Sequence, residues 1–170
     1  MHGQIHRDDL QFLRFKFSQN GQNIQIPACK LQYAQFRHRA GKDVHAPGFY
    51  VHLEPGGVFA GAGLWHPEPQ ALQSVRVAIA QKPAVWKKAI GTPSFRKLCT
   101  LEGEVAKRPP HGFDPNHALI EDLKRKDFVA TARFTEAEAL SPAFLRGFIS
   151  FCQASAPLNA FLSRALKVAW

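Results

Sequence analysis

Cysteine is scarce in this chain: three residues in 170 (Cys29, Cys99 and Cys152), far apart and odd in number. That excludes a disulfide framework and points to a reducing, cytoplasmic setting. Long hydrophobic runs are missing too. No stretch approaches the roughly 18 apolar residues of a membrane span, and Met1-His2-Gly3-Gln4 opens no signal peptide. The sequence holds no paired Cys/His finger, no aromatic ribonucleoprotein signature and no basic zipper, so the common nucleic-acid modules are excluded. Acidic residues are few, 13 against 22 Lys and Arg, which leaves a basic protein of net charge +9.

What is present reads as a globular domain. Hydrophobic residues make up 45% and charged residues 21%, and a chain of this length has the size of one core of roughly 100–200 residues. The excess charge lies early: +4 in residues 1–50, +4 in 51–100 and +1 in 101–170. Its densest part is Lys82, Lys87, Lys88, Arg96 and Lys97. Such a basic surface either draws a polyanion such as nucleic acid or is simply a solvated face.

Along the chain, six of the eleven glutamines fall between Gln11 and Gln35, in a run without clear periodicity that is expected to be loop. From Phe36 the signals sharpen. Phe49–Glu54 alternates apolar and polar residues as a half-buried strand does, Pro55-Gly56-Gly57 supplies turn chemistry, and Val58–Trp65 returns. A helix follows over Glu68–Gln81, with Leu72, Val75 and Ile79 on one face. A second runs from Pro83 to Ile90 and closes at Gly91. Cys99–Lys107 reads as extended, Arg108–Pro115 as loop, Asn116–Lys124 as a short helix and Asp127–Thr135 as a strand. Ser141-Pro142 opens the first of two C-terminal helices, with apolar stripes at Phe144, Phe148, Ile149 and Cys152, then at Leu158, Phe161, Leu162 and Leu166. The expected fold is α+β: an antiparallel sheet with a central hairpin, packed by helices, ending in two C-terminal helices.

Several side chains carry possible chemistry. Strand alternation puts Tyr50, His52 and Glu54 together on the face opposite Phe49, Val51 and Leu53, beside the small residues Ala60–Gly63 of the return strand. Bulky polar groups next to alanine and glycine leave a hollow, and a carboxylate that fixes an imidazole suits acid–base work. The plainer reading is an exposed polar face, or a core histidine satisfied by a tyrosine. Arg76 falls on or beside the buried stripe of its helix, so it either clamps a carboxylate such as Glu54 or Glu68, or binds an anionic ligand. Lys107, Arg108 and His111 sit on a proline-stiffened loop that serves as a binding edge or as a rigid connector. His45, His52 and His66 match no recurring ligand spacing, so no metal site is expected. The glycines from Gly56 to Gly63 lack the Gly-Lys-Ser/Thr ending of a phosphate cradle, and no other cofactor motif is present. Cys99 and Cys152 fall on apolar stretches, as inert core thiols do.

Pro47–Gly56, then Phe59–Trp65, then Leu72, Arg76 and Ile79 resemble the domain-of-unknown-function 2461 family, and so do Gly103–Asp114 and Leu123–Phe128. The resemblance covers about Gln35 to Leu166. It implies a cytosolic α+β protein and no particular reaction. It gives weight to Tyr50, His52, Glu54, Gly61, Gly63, Trp65, Arg76, Lys107, Pro109, Gly112 and Lys126 as motif positions. It also implies an N-terminal helix rich in Phe, Trp and Asn, which this chain lacks, so the chain is expected to be truncated. After Arg7-Asp8 the family carries a lysine-rich stretch where this chain has the glutamine-rich run. We read that run as a shifted frame: codons such as CAA-AAC-ATA-CAA-ATC for Gln22–Ile26, read one base later, give Lys-Thr-Tyr-Lys, close to the family's text, and the gene sequence decides it.

The domain expectation is therefore an irregular, aberrant segment at 1–34 and one α+β domain at 35–170. The functional expectation is an anionic or phosphate-bearing small ligand, bound or hydrolysed in a polar cleft of Tyr50, His52, Glu54 and Arg76, with Lys107, Arg108 and His111 at its rim. The competing expectation is a non-enzymatic interaction module that binds nucleic acid through its basic surface.

Overall fold

The computed structural model of the protein describes the backbone of residues 32–37 and all of residues 46–168. Cys29, His45 and nearly all of the segment at 1–34 lie outside the described residues. The elements in chain order are β1 (Gln32–Arg37), β2 (Gly48–Leu53), β3 (Val58–Leu64), α1 (Pro69–Gln81), α2 (Pro83–Ile90), α3 (Pro93–Leu98), β4 (Thr100–Glu102), α4 (Ile120–Leu123), β5 (Phe128–Phe134), α5 (Glu136–Ala139) and α6 (Phe144–Leu166). The strands form one antiparallel sheet in the order β1-β2-β3-β5-β4, with the β2–β3 hairpin near its middle.

Alternation decides which side of each strand is buried. Val51, Ala60, Ala62, Phe128 and Ala130 are buried and face the helices. α6 lies across this face as the main helical support. Its Phe148 and Phe151 pack under β2 and β3, while Leu158, Phe161 and Leu162 join Val75, Ile79, Trp86 and Phe128 in a second cluster. Trp86 is fully buried there, edge-on to Phe128 with ring centroids 5.7 Å apart. Three helices start on a proline at Pro69, Pro83 and Pro93, where the missing N–H costs nothing and φ is already helical.

The C-terminal pair of helices is a single helix. Pro157 sits inside α6, where a proline interrupts the backbone ladder at about 3 kcal/mol. The buried residues on both sides of it, Phe151, Ala154, Leu158 and Leu162, face one continuous core, and their burial offsets that cost. Ser141 still initiates the segment, since its Oγ accepts the N–H of Ala143 and its carbonyl that of Phe144.

Other boundaries also differ. Gln32–Gln35, expected as loop, belongs to β1 and pairs with β2, whose edge recruits a segment that has no alternation of its own. α3 was not expected, although Thr92-Pro93 marks its start; Thr92 Oγ1 accepts the Phe95 N–H at 3.1 Å. The Asn116–Lys124 helix shrinks to Ile120–Leu123, because Asp114 and His117 side chains take the Asn116 and Leu119 amides into turns. The Cys99–Lys107 strand keeps only three residues. Gly103 stops it in a left-handed conformation (φ 123°), where a Cβ would lie 2.6 Å from that of Asp127.

Candidate functional site

The face of the sheet away from α1 and α6 carries the polar side chains. Register places Tyr50 opposite Gly61 and His52 opposite Phe59, then Gly61 opposite Thr131 and Phe59 opposite Arg133. Directly paired residues of an antiparallel sheet share a face. Two adjacent rows therefore cross the sheet there, His52–Phe59–Arg133 and Tyr50–Gly61–Thr131. Gly61 is buried in the second row; a Cβ there would be in ordinary van der Waals contact with Tyr50 and Val129, at 3.9 Å and beyond.

Along β2 the three polar groups form a hydrogen-bonded chain. Tyr50 Oη lies 3.0 Å from His52 Nδ1, and His52 Nε2 lies 3.0 Å from Glu54 Oε2. A carboxylate only accepts, so Nε2 carries a proton; in the neutral ring Nδ1 then accepts from the tyrosine hydroxyl. The imidazole is stacked on Phe59, with centroids 4.7 Å apart and planes at 21°. Its side chain is 16% exposed, whereas that of Glu54 is 56% exposed. The histidine is thus clamped in one orientation by neighbours two residues away, and only its carboxylate end is free to move.

The remaining expected site residues are dispersed. Arg76 projects from α1, on the helical side of the sheet, away from Tyr50 and His52. Its Nε donates to the Leu123 carbonyl at 2.8 Å and its Nη2 to the Arg125 carbonyl at 3.1 Å, so it ties down the end of α4. Partial burial lowers its pKa. It clamps backbone carbonyls rather than Glu54 or Glu68. Lys107, Arg108 and His111 are exposed on a loop anchored where the Ala106 N–H meets the Lys124 carbonyl. Lys82, Lys87, Lys88, Arg96 and Lys97 are all exposed on α2, α3 and the turn before them.

Arg133 and Thr131 are the members of the open face that motif reading alone misses. The strand over Asp127–Thr135 was legible, but its place beside β3 was not. A second histidine–carboxylate pair also emerges at the far end of β3. Asp127 is 2% exposed and accepts the His66 N–H at 2.7 Å and the Glu104 N–H at 3.0 Å, one on each oxygen. The His66 ring nitrogen Nδ1 is 3.7 Å from the same carboxylate, and its side chain is 68% exposed. Among the described residues no three His, Cys, Asp or Glu side chains converge as a metal-binding group. Burial raises the Cys99 thiol to about 11 and that of Cys152 to about 12, so neither is a thiolate nucleophile at neutral pH. No helix among the described residues is long and apolar enough to cross a membrane.

Residues 16–161 match the family model described as "Conserved hypothetical protein (DUF2461)", and the chain belongs to that family. Neither the curated proteins nor the solved structures give a match.

Proposed function

We propose that this member of the DUF2461 family binds an anionic, phosphate-bearing small ligand on the open face of its sheet. The observation that carries the reading is the Tyr50–His52–Glu54 chain on the same face as Arg133, with Phe59 between His52 and Arg133. Two intervening strand spacings put His52 and Arg133 roughly 10 Å apart at the backbone. The exposed Arg133 guanidinium, whose Nη2 lies 3.7 Å from Glu102 on the β4 side, turns back over Phe59 toward a docked anion, and its planar fork suits a phosphate. The Phe59 ring, stacked on His52, gives the ligand an apolar floor. When an anion docks, the exposed Glu54 swings away and leaves the His52 Nε2–H free to donate to it.

Binding is favoured over hydrolysis. Both ring nitrogens of His52 are engaged, so the neutral ring offers no free nitrogen to a water nucleophile. Titration with inorganic phosphate, followed through backbone amide shifts, tests the reading. Shifts should cluster at Tyr50–Glu54, Phe59–Gly61 and Thr131–Arg133, and Arg133→Ala should weaken binding about tenfold. Shifts confined to other segments would remove it. Release of p-nitrophenol from p-nitrophenyl phosphate would instead establish hydrolysis.

A second reading has its own support. Lys82, Lys87, Lys88, Arg96 and Lys97 are exposed, and none has an ion-pair partner among the described residues. A nucleic acid would use that surface. Its affinity would fall steeply with salt and with Lys87→Glu/Lys88→Glu, and that double variant would leave phosphate binding at His52 unchanged.

A further inference from the structure

β4 covers β5 only from Val129 to Thr131, so Ala132, Arg133 and Phe134 have no strand on that side among the described residues. Backbone groups alternate along a strand, so at least one of these three presents both its N–H and its C=O outward. That free edge does not face a flat surface. It opens into a cleft of about 600 Å³, bounded by the end of α3 (Arg96, Lys97, Leu98) and by Ser150 and Phe151 of α6. The cleft wraps around the strand. Arg133 lies on its open-face side, while Phe134 and the buried Phe151 form an apolar floor on its helical side.

The charges around it are mixed but lean positive. Arg96 and Lys97 have no ion-pair partner among the described residues, and Arg133 meets Glu102 only at 3.7 Å, with its own side chain 76% exposed. Glu138, the other acid on the rim, is held in place by the Thr135 N–H and hydroxyl. An unpaired strand edge supplies main-chain hydrogen bonds; an apolar floor on one side and cations on the other supply alternate side-chain pockets. This combination is the requirement for strand addition.

We propose that the cleft beside Ala132–Phe134 is a docking site for a short, extended, acidic peptide segment of a partner protein, which adds to the sheet next to β5. Apolar side chains of the segment settle toward Phe134 and Phe151, and acidic ones face Arg96, Lys97 and Arg133. The free edge accommodates about three residues, roughly 10 Å of strand.

The probe is a fluorescein-labelled acidic hexapeptide, Glu-Val-Glu-Val-Glu-Val. Its two controls are the Lys-for-Glu counterpart and the acidic peptide N-methylated at alternate amides, one isomer for each edge. The acidic peptide should bind, the basic one should not, and one N-methyl isomer should lose about tenfold in affinity because its edge carries the hydrogen bonds. Arg96→Glu/Lys97→Glu should lose about tenfold as well. Amide shifts should centre on Ala132–Phe134 and spare Tyr50–Glu54, which separates this site from the phosphate reading. Equal binding of both N-methyl isomers, or shifts confined to the α2–α3 surface, would show a bare charge effect and overturn the proposal. Absence of binding up to about 1 mM would overturn it too, and would leave the cations as guards that keep edges of neighbouring copies apart.

Discussion

Two histidine–carboxylate pairs stand at opposite ends of the β2–β3 hairpin, and they differ in which partner is buried. At His66 the acid is buried: Asp127 spends its two oxygens on backbone amides from two segments, while the imidazole is mostly in solvent. At His52 the histidine is the more buried partner and the acid is exposed, so the ring is held by side chains of its own strand. The first pair joins the end of β3 to the loop after β4 and to the start of β5, and so carries structure. The second joins nothing distant and displays its chemistry on an open face. A carboxylate near a histidine is therefore not one kind of object; what matters is where the acid's lone pairs go.

The sharpest test of that contrast is Asp127→Ala. It strands the His66 and Glu104 amides and should cost about 2–4 kcal/mol, read from the denaturant midpoint. A loss below about 1 kcal/mol would break the comparison. Arg76→Ala should come next. It removes two hydrogen bonds to the end of α4 for about 1–2 kcal/mol, and phosphate shifts at Tyr50–Glu54 should persist; their loss would return Arg76 to the ligand site. Smaller effects should separate the two histidines. His52→Ala should change stability by less than about 1 kcal/mol while abolishing the phosphate response. His66→Gly should be neutral or slightly stabilising, because φ of 48° suits glycine and the exposed ring holds little.

The smallest effect concerns pH. Hydrogen bonds from Thr135 lower the Glu138 pKa below its ordinary 4.5. A depressed carboxyl stabilises the fold above its unfolded pKa and loses that contribution as pH falls through the folded value. The protection factor of the Thr135 amide should therefore fall only below about pH 4.5, with no change between pH 6 and 8.

Much of the fold was legible because local patterns were strong. The β2–β3 hairpin announced itself through alternation around Pro55-Gly56-Gly57, and α1 and α2 through prolines followed by apolar stripes. Two of the differences arise where tertiary contacts overrode local signals. The two apolar stripes near the C-terminus read as two helices, yet the core on both sides of Pro157 keeps α6 in one piece. The glutamines of β1 read as loop, yet the edge of β2 aligns them. In the site, the Tyr50–His52–Glu54 grouping followed from a period of two, whereas the partners of Arg76, the Leu123 and Arg125 carbonyls, did not follow from helical phase, which says which side of α1 it leaves and not what lies there.

The amino-acid sequence by itself determined the β2–β3 hairpin, the β5 strand, α1 and α2, the basic charge and the shared face of Tyr50, His52 and Glu54, because these rest on spacing and composition. Only the tertiary structure decided that β5 lies between β3 and β4. That placement sets Arg133 in one row with Phe59 and His52, buries Asp127 beneath His66 and, among the described residues, leaves one edge of the end of β5 without a strand. Strand order depends on which apolar faces find each other across more than sixty intervening residues, and no local pattern encodes that choice.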